Sequence, residues 1–65
     1  MAIYRLVPQL DDAGYLEAWH AFFVGETSDD DNHVDTFWMR ADALQWLAAR
    51  RRAGDHVELE AGCDL

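Results

Sequence analysis

The chain has 65 residues, of which 13 are Asp or Glu, five are Arg and none is Lys, and its formal net charge is −8. Phosphate backbones and anionic lipids repel such a chain, so we exclude direct binding to nucleic acid or a membrane, where affinity comes largely from Lys and Arg. The length fits one domain, residues 1–65, and contents of 51% apolar and 12% aromatic residues favour a folded core over intrinsic disorder.

The first predicted element is a strand over residues 2–7, because A-I-Y-R-L-V is β-branched and aromatic in character. Pro8, the only proline, is expected to end this strand at an edge or a bend. The segment Asp11-Asp12-Ala13-Gly14 has the residue types of a type I turn with Gly at its last position. A short turn or one helical turn therefore follows the strand.

Residues 15–25 allow two interpretations. Apolar and aromatic residues recur at helical spacing from Leu16 to Phe23, which favours an amphipathic helix, whereas residues 19–24 are rich in strand formers. A polar cluster and a second strand-like run, V-D-T-F-W-M, follow this segment. We therefore favour a hairpin joined at residues 26–32.

The clearest element is a helix over about 42–53, built almost wholly from good helix formers. Asp42 followed by Gln45 resembles a capping box, and Arg50–Arg52 lie in the last turn, where the helix dipole favours cations. Gly54 is placed to stop the helix.

The buried stripe of this helix is predicted to consist of Leu44, Leu47 and Ala48. Trp46 then points about 140° away from the middle of the stripe, which makes it a flanking or exposed residue.

The last predicted strand covers residues 56–61, in which apolar Val57 and Leu59 alternate with Glu58 and Glu60. The resulting order is β-β-β-α-β, or β-α-β-α-β if residues 15–25 are helical. Both orders predict an α+β fold, with a small, mostly antiparallel sheet of three to four strands and the helix 42–53 packed on one face.

No motif for catalysis, metal binding or cofactor binding is found. The cluster Asp29–Asp35 fails the EF-hand pattern twice, because its sixth position is Val34 and its twelfth is Arg40. The three histidines and the single Cys63 match no nucleophile or zinc signature. We therefore expect a protein that is not an enzyme and has no cofactor.

The single cysteine excludes an intrachain disulfide and fits a reducing cytosol. No signal-peptide pattern and no apolar run of membrane-spanning length is found, so we expect neither secretion nor membrane insertion. We expect a monomer, with a homodimer as the alternative.

The acidic residues form blocks: eight lie between Asp11 and Asp35, a stretch without a basic residue. One explanation is solubility, and the other is a surface that imitates a nucleic-acid backbone and occupies a basic groove on another protein. Eight charges equal those of about 14 Å of duplex, so mimicry requires that the acids gather on one side.

Glu58 and Glu60 illustrate such a side, because alternate residues of a strand project from one face about 6.6 Å apart. Exposed aromatic residues would serve as anchors, and Trp46 and Trp38 are the first candidates. The predicted partner-binding residues are Asp11, Asp12, Glu26, Asp29, Asp30, Asp31, Asp35, Glu58, Glu60 and Trp46.

The chain resembles the short, acidic, phage-encoded anti-CRISPR inhibitors, above all those of type I-C Cascade. The likeness is carried by D-D-A-G-Y-L-E, G-E-T-S-D-D-D-N, V-D-T-F-W-M-R-A-D-A-L-Q-W-L and V-E-L-E. It implies a non-enzymatic inhibitor in the host bacterial cytoplasm, which binds a Cascade subunit with a basic DNA-binding surface and blocks entry of target DNA. Two alternatives stay open: an antitoxin or immunity protein that inhibits a basic nuclease, and a small scaffolding subunit.

Overall fold

The computed structural model describes residues 1–24 and 32–65. Its elements are β1 (Ile3–Leu10), β2 (Leu16–Phe23), β3 (Asn32–Phe37), α1 (Arg40–Arg52) and β4 (His56–Leu59). The strands form one sheet in the order β3-β2-β1-β4, in which β4 is parallel to β1 and the other two pairs are antiparallel. The predicted α+β fold is confirmed, and the strand interpretation is correct for Leu16–Phe23.

The prediction that β1 ends at Pro8 is wrong, because the strand continues to Leu10. The carbonyl of Ile3 accepts a hydrogen bond from Val24 on the β2 side, whereas the carbonyl of Leu6 accepts one from Glu60 on the β4 side. Alternation along the strand points the nitrogen of Pro8 to the β4 side as well. Strand β1 pairs with β4 only as far as Leu6, so the missing N–H of Pro8 removes no hydrogen bond between these strands.

The turn between β1 and β2 is confirmed at Asp11-Asp12-Ala13-Gly14. The backbone N–H of Gly14 donates to the carbonyl of Asp11 at 3.0 Å, and Gly14 has φ +87°, a conformation that favours glycine. The Asp11 carboxylate accepts hydrogen bonds from the N–H groups of Ala13 and Tyr15, at 3.0 and 2.9 Å. Asp11 is therefore part of the turn itself.

The helix α1 begins earlier than predicted. Met39 is its N-cap and makes no side-chain capping bond, so the proposed capping box at Asp42 and Gln45 is wrong. The C-terminal prediction is confirmed, because Gly54 has φ +84° and its N–H donates to the Arg51 carbonyl. The Asp55 N–H reaches the Arg50 carbonyl, which completes a Schellman motif.

The core lies between α1 and one face of the sheet. Its buried residues are Leu6, Trp19, Ala21, Phe37, Ala43, Leu47, Val57 and Cys63. The predicted stripe of α1 is correct for Leu47 but wrong for Ala48 and Leu44, which are exposed, because Ala43 is the second buried position of the helix.

Trp46 is a flanking residue of the core, which is one of the two predicted alternatives. Its ring meets those of Tyr4 and Phe37 at centroid distances of 5.4 and 5.7 Å, and the residue is half-buried. Because the buried face of α1 is centred near Ala43 and Leu47, Trp46 lies on the flank that faces β1 and β3. Rings of this size supply much of the buried area in so small a core.

The opposite face of the sheet is not covered by α1 and carries a polar network. The Thr36 hydroxyl lies 2.9 Å from Nδ1 of His20 and 2.7 Å from Nε2 of His33, and Nε2 of His20 is hydrogen-bonded to the Gln9 side chain. These contacts tie β1, β2 and β3 together. The histidines are strand residues of this face, as their positions in the sequence indicate.

Candidate acidic interface

The two ends of the sheet carry different elements. We call one the turn end: it holds the β1–β2 turn, the last residues of β3, the first turn of α1 and the segment after β4. We call the other the helix-exit end: it holds the first residues of β1 and β4, the end of β2 and the last turn of α1. The register supports this division, because Tyr4 pairs with Phe23 and Ile3 with His56.

Carboxylates gather at the turn end. The β1–β2 turn positions Asp11 and Asp12, and the helix start positions Asp42. The segment after β4 bends back along β1, with Gly62 beside Pro8. The six acidic residues of the turn end, all exposed, are Asp11, Asp12, Glu17, Asp42, Glu60 and Asp64.

Arg40 is the one arginine at the turn end among the described residues. Its guanidinium donates to the backbone carbonyl of Asp64, with nitrogen–oxygen distances of 3.2 and 3.3 Å. This contact fixes the segment after β4 against the start of α1. The turn end therefore carries six carboxylates and one guanidinium.

The other helix arginines lie at the helix-exit end, where the C-terminal dipole of α1 favours cations. Arg50 pairs with Asp55 at 3.4 Å, and its guanidinium carbon is 5.8 Å from the centre of the Tyr4 ring. Asp55 also accepts a hydrogen bond from the N–H of Ala2. Arg50 therefore has a structural role, as its position in the last turn indicates, while Arg51 and Arg52 are exposed.

The structure brings together only part of the predicted site. Asp11, Asp12 and Glu60 lie toward the turn end, whereas Asp35 lies on β3 and Glu58 on β4, at opposite edges of the sheet. The Glu58 carboxylate is 3.7 Å from the Arg5 guanidinium on the neighbouring strand, which offsets its charge. Trp46 belongs to the flank of the core, as described above.

Glu26 and Asp29–Asp31 lie outside the described residues. The residues that flank this segment, Phe23 and Asn32, pair with each other on β2 and β3 at the helix-exit end. Since β1 separates β2 from β4, these flanks do not adjoin the strand that carries Glu58.

Four large apolar side chains at the turn end were not predicted as one group. Leu10 is 55% exposed, Tyr15 73%, Trp38 61% and Met39 64%. Apart from Met1, no other large apolar side chain in residues 1–24 and 32–65 is more than half exposed. Trp38 was a candidate anchor from the sequence. Leu10, Tyr15 and Met39 were not, because in the sequence they are simply apolar residues near the ends of strands or of the helix.

The single cysteine of the chain, Cys63, is buried. Burial raises the pKa of the Cys63 thiol, which donates to the Leu6 carbonyl at 3.3 Å and so stays protonated near neutral pH. Within the described ranges, no three His, Cys, Asp or Glu side chains come together as metal ligands. No helix of those ranges has the length and apolar character needed to cross a membrane.

Comparisons with protein-family models, with curated proteins and with solved structures gave no match. The candidate interface therefore rests on the turn end, which carries exposed carboxylates and exposed apolar side chains, while three of the five arginines lie in the last turn of α1 at the other end.

Proposed function

We propose that this protein is an anti-CRISPR-type inhibitor that acts in the host bacterial cytoplasm. Its turn end binds a basic, nucleic-acid-binding surface of a host Cascade complex and blocks the binding of target DNA. The observation that carries the proposal is the segregation of charge, with six carboxylates at the turn end and Arg50–Arg52 at the helix-exit end.

The magnitude of this charge supports electrostatic attraction. A four-stranded sheet is about 14 Å wide across its strands. A duplex of that length carries about eight charges, and the turn end presents six carboxylates and one arginine. The charge is thus of the order found on DNA, which favours fast, salt-dependent association with a basic groove.

The decisive measurement is the affinity of purified type I-C Cascade for its target duplex with and without the protein. We expect the protein to reduce duplex binding in proportion to its concentration. Undiminished duplex binding at saturating protein would refute the DNA-mimic mechanism.

A matched pair of variants locates the binding face. Asp12→Lys with Glu60→Lys reverses two charges at the turn end, and Asp35→Lys with Glu58→Lys makes the same change in net charge elsewhere on the sheet. We expect the first variant to lose inhibition and the second to keep most of it. Equal loss in both would show that total charge, and not the turn end, governs binding.

A small interaction subunit is a second candidate, because the turn end exposes Trp38 and Met39 as well as its acids. An apolar interface of that kind holds its affinity as salt rises, whereas a charge-led inhibitor weakens between low and physiological ionic strength. An inhibitor of a basic nuclease would share the salt dependence and would be recognised by the nuclease that copurifies with it.

A further inference from the structure

The exposed apolar and acidic residues of the turn end lie close together along two stretches of chain. In the first, Leu10 precedes Asp11, and Tyr15 lies two residues before Glu17; in the second, Trp38 and Met39 precede Asp42. In the part of the chain that the structure describes, four of the five large apolar side chains that are more than half exposed thus lie within four residues of an exposed carboxylate of the turn end. Exposed apolar side chains that lie in one group indicate an interaction surface, whereas single exposed apolar side chains scattered over a protein do not.

The turn end combines carboxylates with exposed aromatic rings, and this combination suits one of two kinds of basic groove better than the other. A groove that holds a duplex meets phosphates on the outside, while the bases stay stacked within. A groove that holds a single strand combines cationic side chains along the backbone with aromatic side chains on which the bases stack. A protein that occupies the second kind of groove must offer ring faces as well as negative charge.

We propose that the partner surface of the turn end is a protein groove that holds single-stranded nucleic acid. In that groove the carboxylates take the place of phosphates, and the rings of Tyr15 and Trp38 take the place of bases. The identity of the protein that carries the groove rests on the proposed function; the chemistry of the groove does not.

Both rings lie toward the same end of the sheet, beside the neighbouring strands β2 and β3. Tyr15 lies four residues from Trp19 in the chain, about 13 Å in an extended strand. Trp38 directly follows Phe37, which pairs with Trp19 across β2 and β3. The carboxylates of Asp11 and Asp12 lie beside Tyr15, whose carbonyl accepts the N–H of Asp11.

The test uses the whole protein, labelled with a fluorophore, and two probes in parallel. One probe is purified type I-C Cascade, and the other is an OB-fold protein that binds single-stranded DNA through a basic groove with aromatic platforms. Bound protein is challenged with polythymidine and with a duplex of equal total charge. We expect polythymidine to displace it at a concentration at least about tenfold lower.

The outcomes separate the two proposals. Binding to the OB-fold protein alone, with preferential displacement by polythymidine, supports the groove chemistry and refutes the Cascade assignment. Binding to Cascade with equal or better displacement by the duplex supports the proposed function and overturns the inference drawn here. Binding to neither probe overturns both.

Two variants check the roles of the rings. Tyr15→Ser with Trp38→Ser removes two exposed rings and keeps every charge, and we expect it to weaken binding by about tenfold or more even at raised salt, as interface anchors do. Val34→Thr is the control, because Val34 is 49% exposed on β3 away from the turn end. Unchanged affinity of the double variant, with its circular dichroism spectrum intact, would overturn the inference.

Discussion

The indole Nε1 of Trp19 donates a hydrogen bond of 2.8 Å to the backbone carbonyl of Cys63, 44 residues later in the chain. The Cys63 thiol in turn donates to the carbonyl of Leu6 in the middle of β1. These two buried contacts hold the segment after β4 against the core. They thereby position Glu60 and Asp64 at the turn end, so the candidate interface depends on the packing beneath it.

Trp19→Phe should destabilise the protein, because it removes the indole N–H and part of a ring that is only 5% exposed. The substitution leaves the buried carbonyl of Cys63 without its donor, which costs about 1–3 kcal/mol of unfolding free energy. Urea denaturation followed by circular dichroism measures the change. Trp38→Phe is the matched control, because Trp38 is exposed, and its effect should stay within about 0.5 kcal/mol. Equal effects of the two substitutions would contradict the assigned role of the indole bond.

Stability should fall at alkaline pH because of Cys63. Desolvation raises the pKa of this thiol in the folded state, so the folded protein holds a proton that the unfolded chain releases above the ordinary thiol pKa of about 8.5. The stabilisation is fully present below that pH and is lost as pH rises through the folded-state pKa.

Urea midpoints measured between about pH 7 and pH 10 test this effect. The Cys63→Ala variant is expected to be less stable at pH 7, since it loses a buried side chain, and to show a shallower decline with pH. An identical pH profile in the two proteins would assign the decline to other groups.

Two neighbouring acids should respond differently to truncation. Asp11→Ala removes the acceptor of two backbone N–H bonds in the β1–β2 turn and should cost about 1 kcal/mol of stability. Asp12→Ala should leave stability nearly unchanged and reduce partner binding, since its carboxylate is exposed at the turn end. Chemical denaturation and binding assays on both variants make the comparison, and a reversed pattern would refute these assignments.

The Arg50–Asp55 ion pair should contribute little to the free energy of unfolding. Its side chains are 35% and 14% exposed, and its separation is 3.4 Å, so we expect a coupling energy below about 1 kcal/mol from a double-mutant cycle. Asp55→Ala should destabilise the start of β1 more than Arg50→Ala does, because Asp55 also accepts a hydrogen bond from the Ala2 N–H. Hydrogen exchange at the Ala2 and Ile3 amides would report that difference.

Local features of this fold could be predicted because short-range chemistry decides them. The β1–β2 turn follows from Asp11 and Gly14, and the end of α1 follows from Gly54, since few residues other than glycine adopt a positive φ at low cost. Alternation in the last strand correctly indicated that Val57 is buried and Glu58 exposed, but it was wrong for Leu59, which is exposed.

Features that depend on partners distant in sequence could not be predicted. Pro8 looks like a strand end until β4 is seen to stop short of it. The choice between a flanking and an exposed position for Trp46 stays open until Tyr4 and Phe37 supply its contacts. The same holds for the candidate interface: Glu58 looks like part of an acidic row until Arg5 is placed opposite it on β1.

By itself, the sequence determined the acidity and the α+β class and left two orders of elements open, because composition and periodicity are properties of neighbouring residues. Only the tertiary structure decided where the charge lies. The order β3-β2-β1-β4 and the direction of α1 carry Arg50–Arg52 to one end, and they gather Asp11, Asp12, Glu60 and the exposed Trp38 at the other. That placement follows from strand register and helix packing, which bring together residues that no local pattern connects.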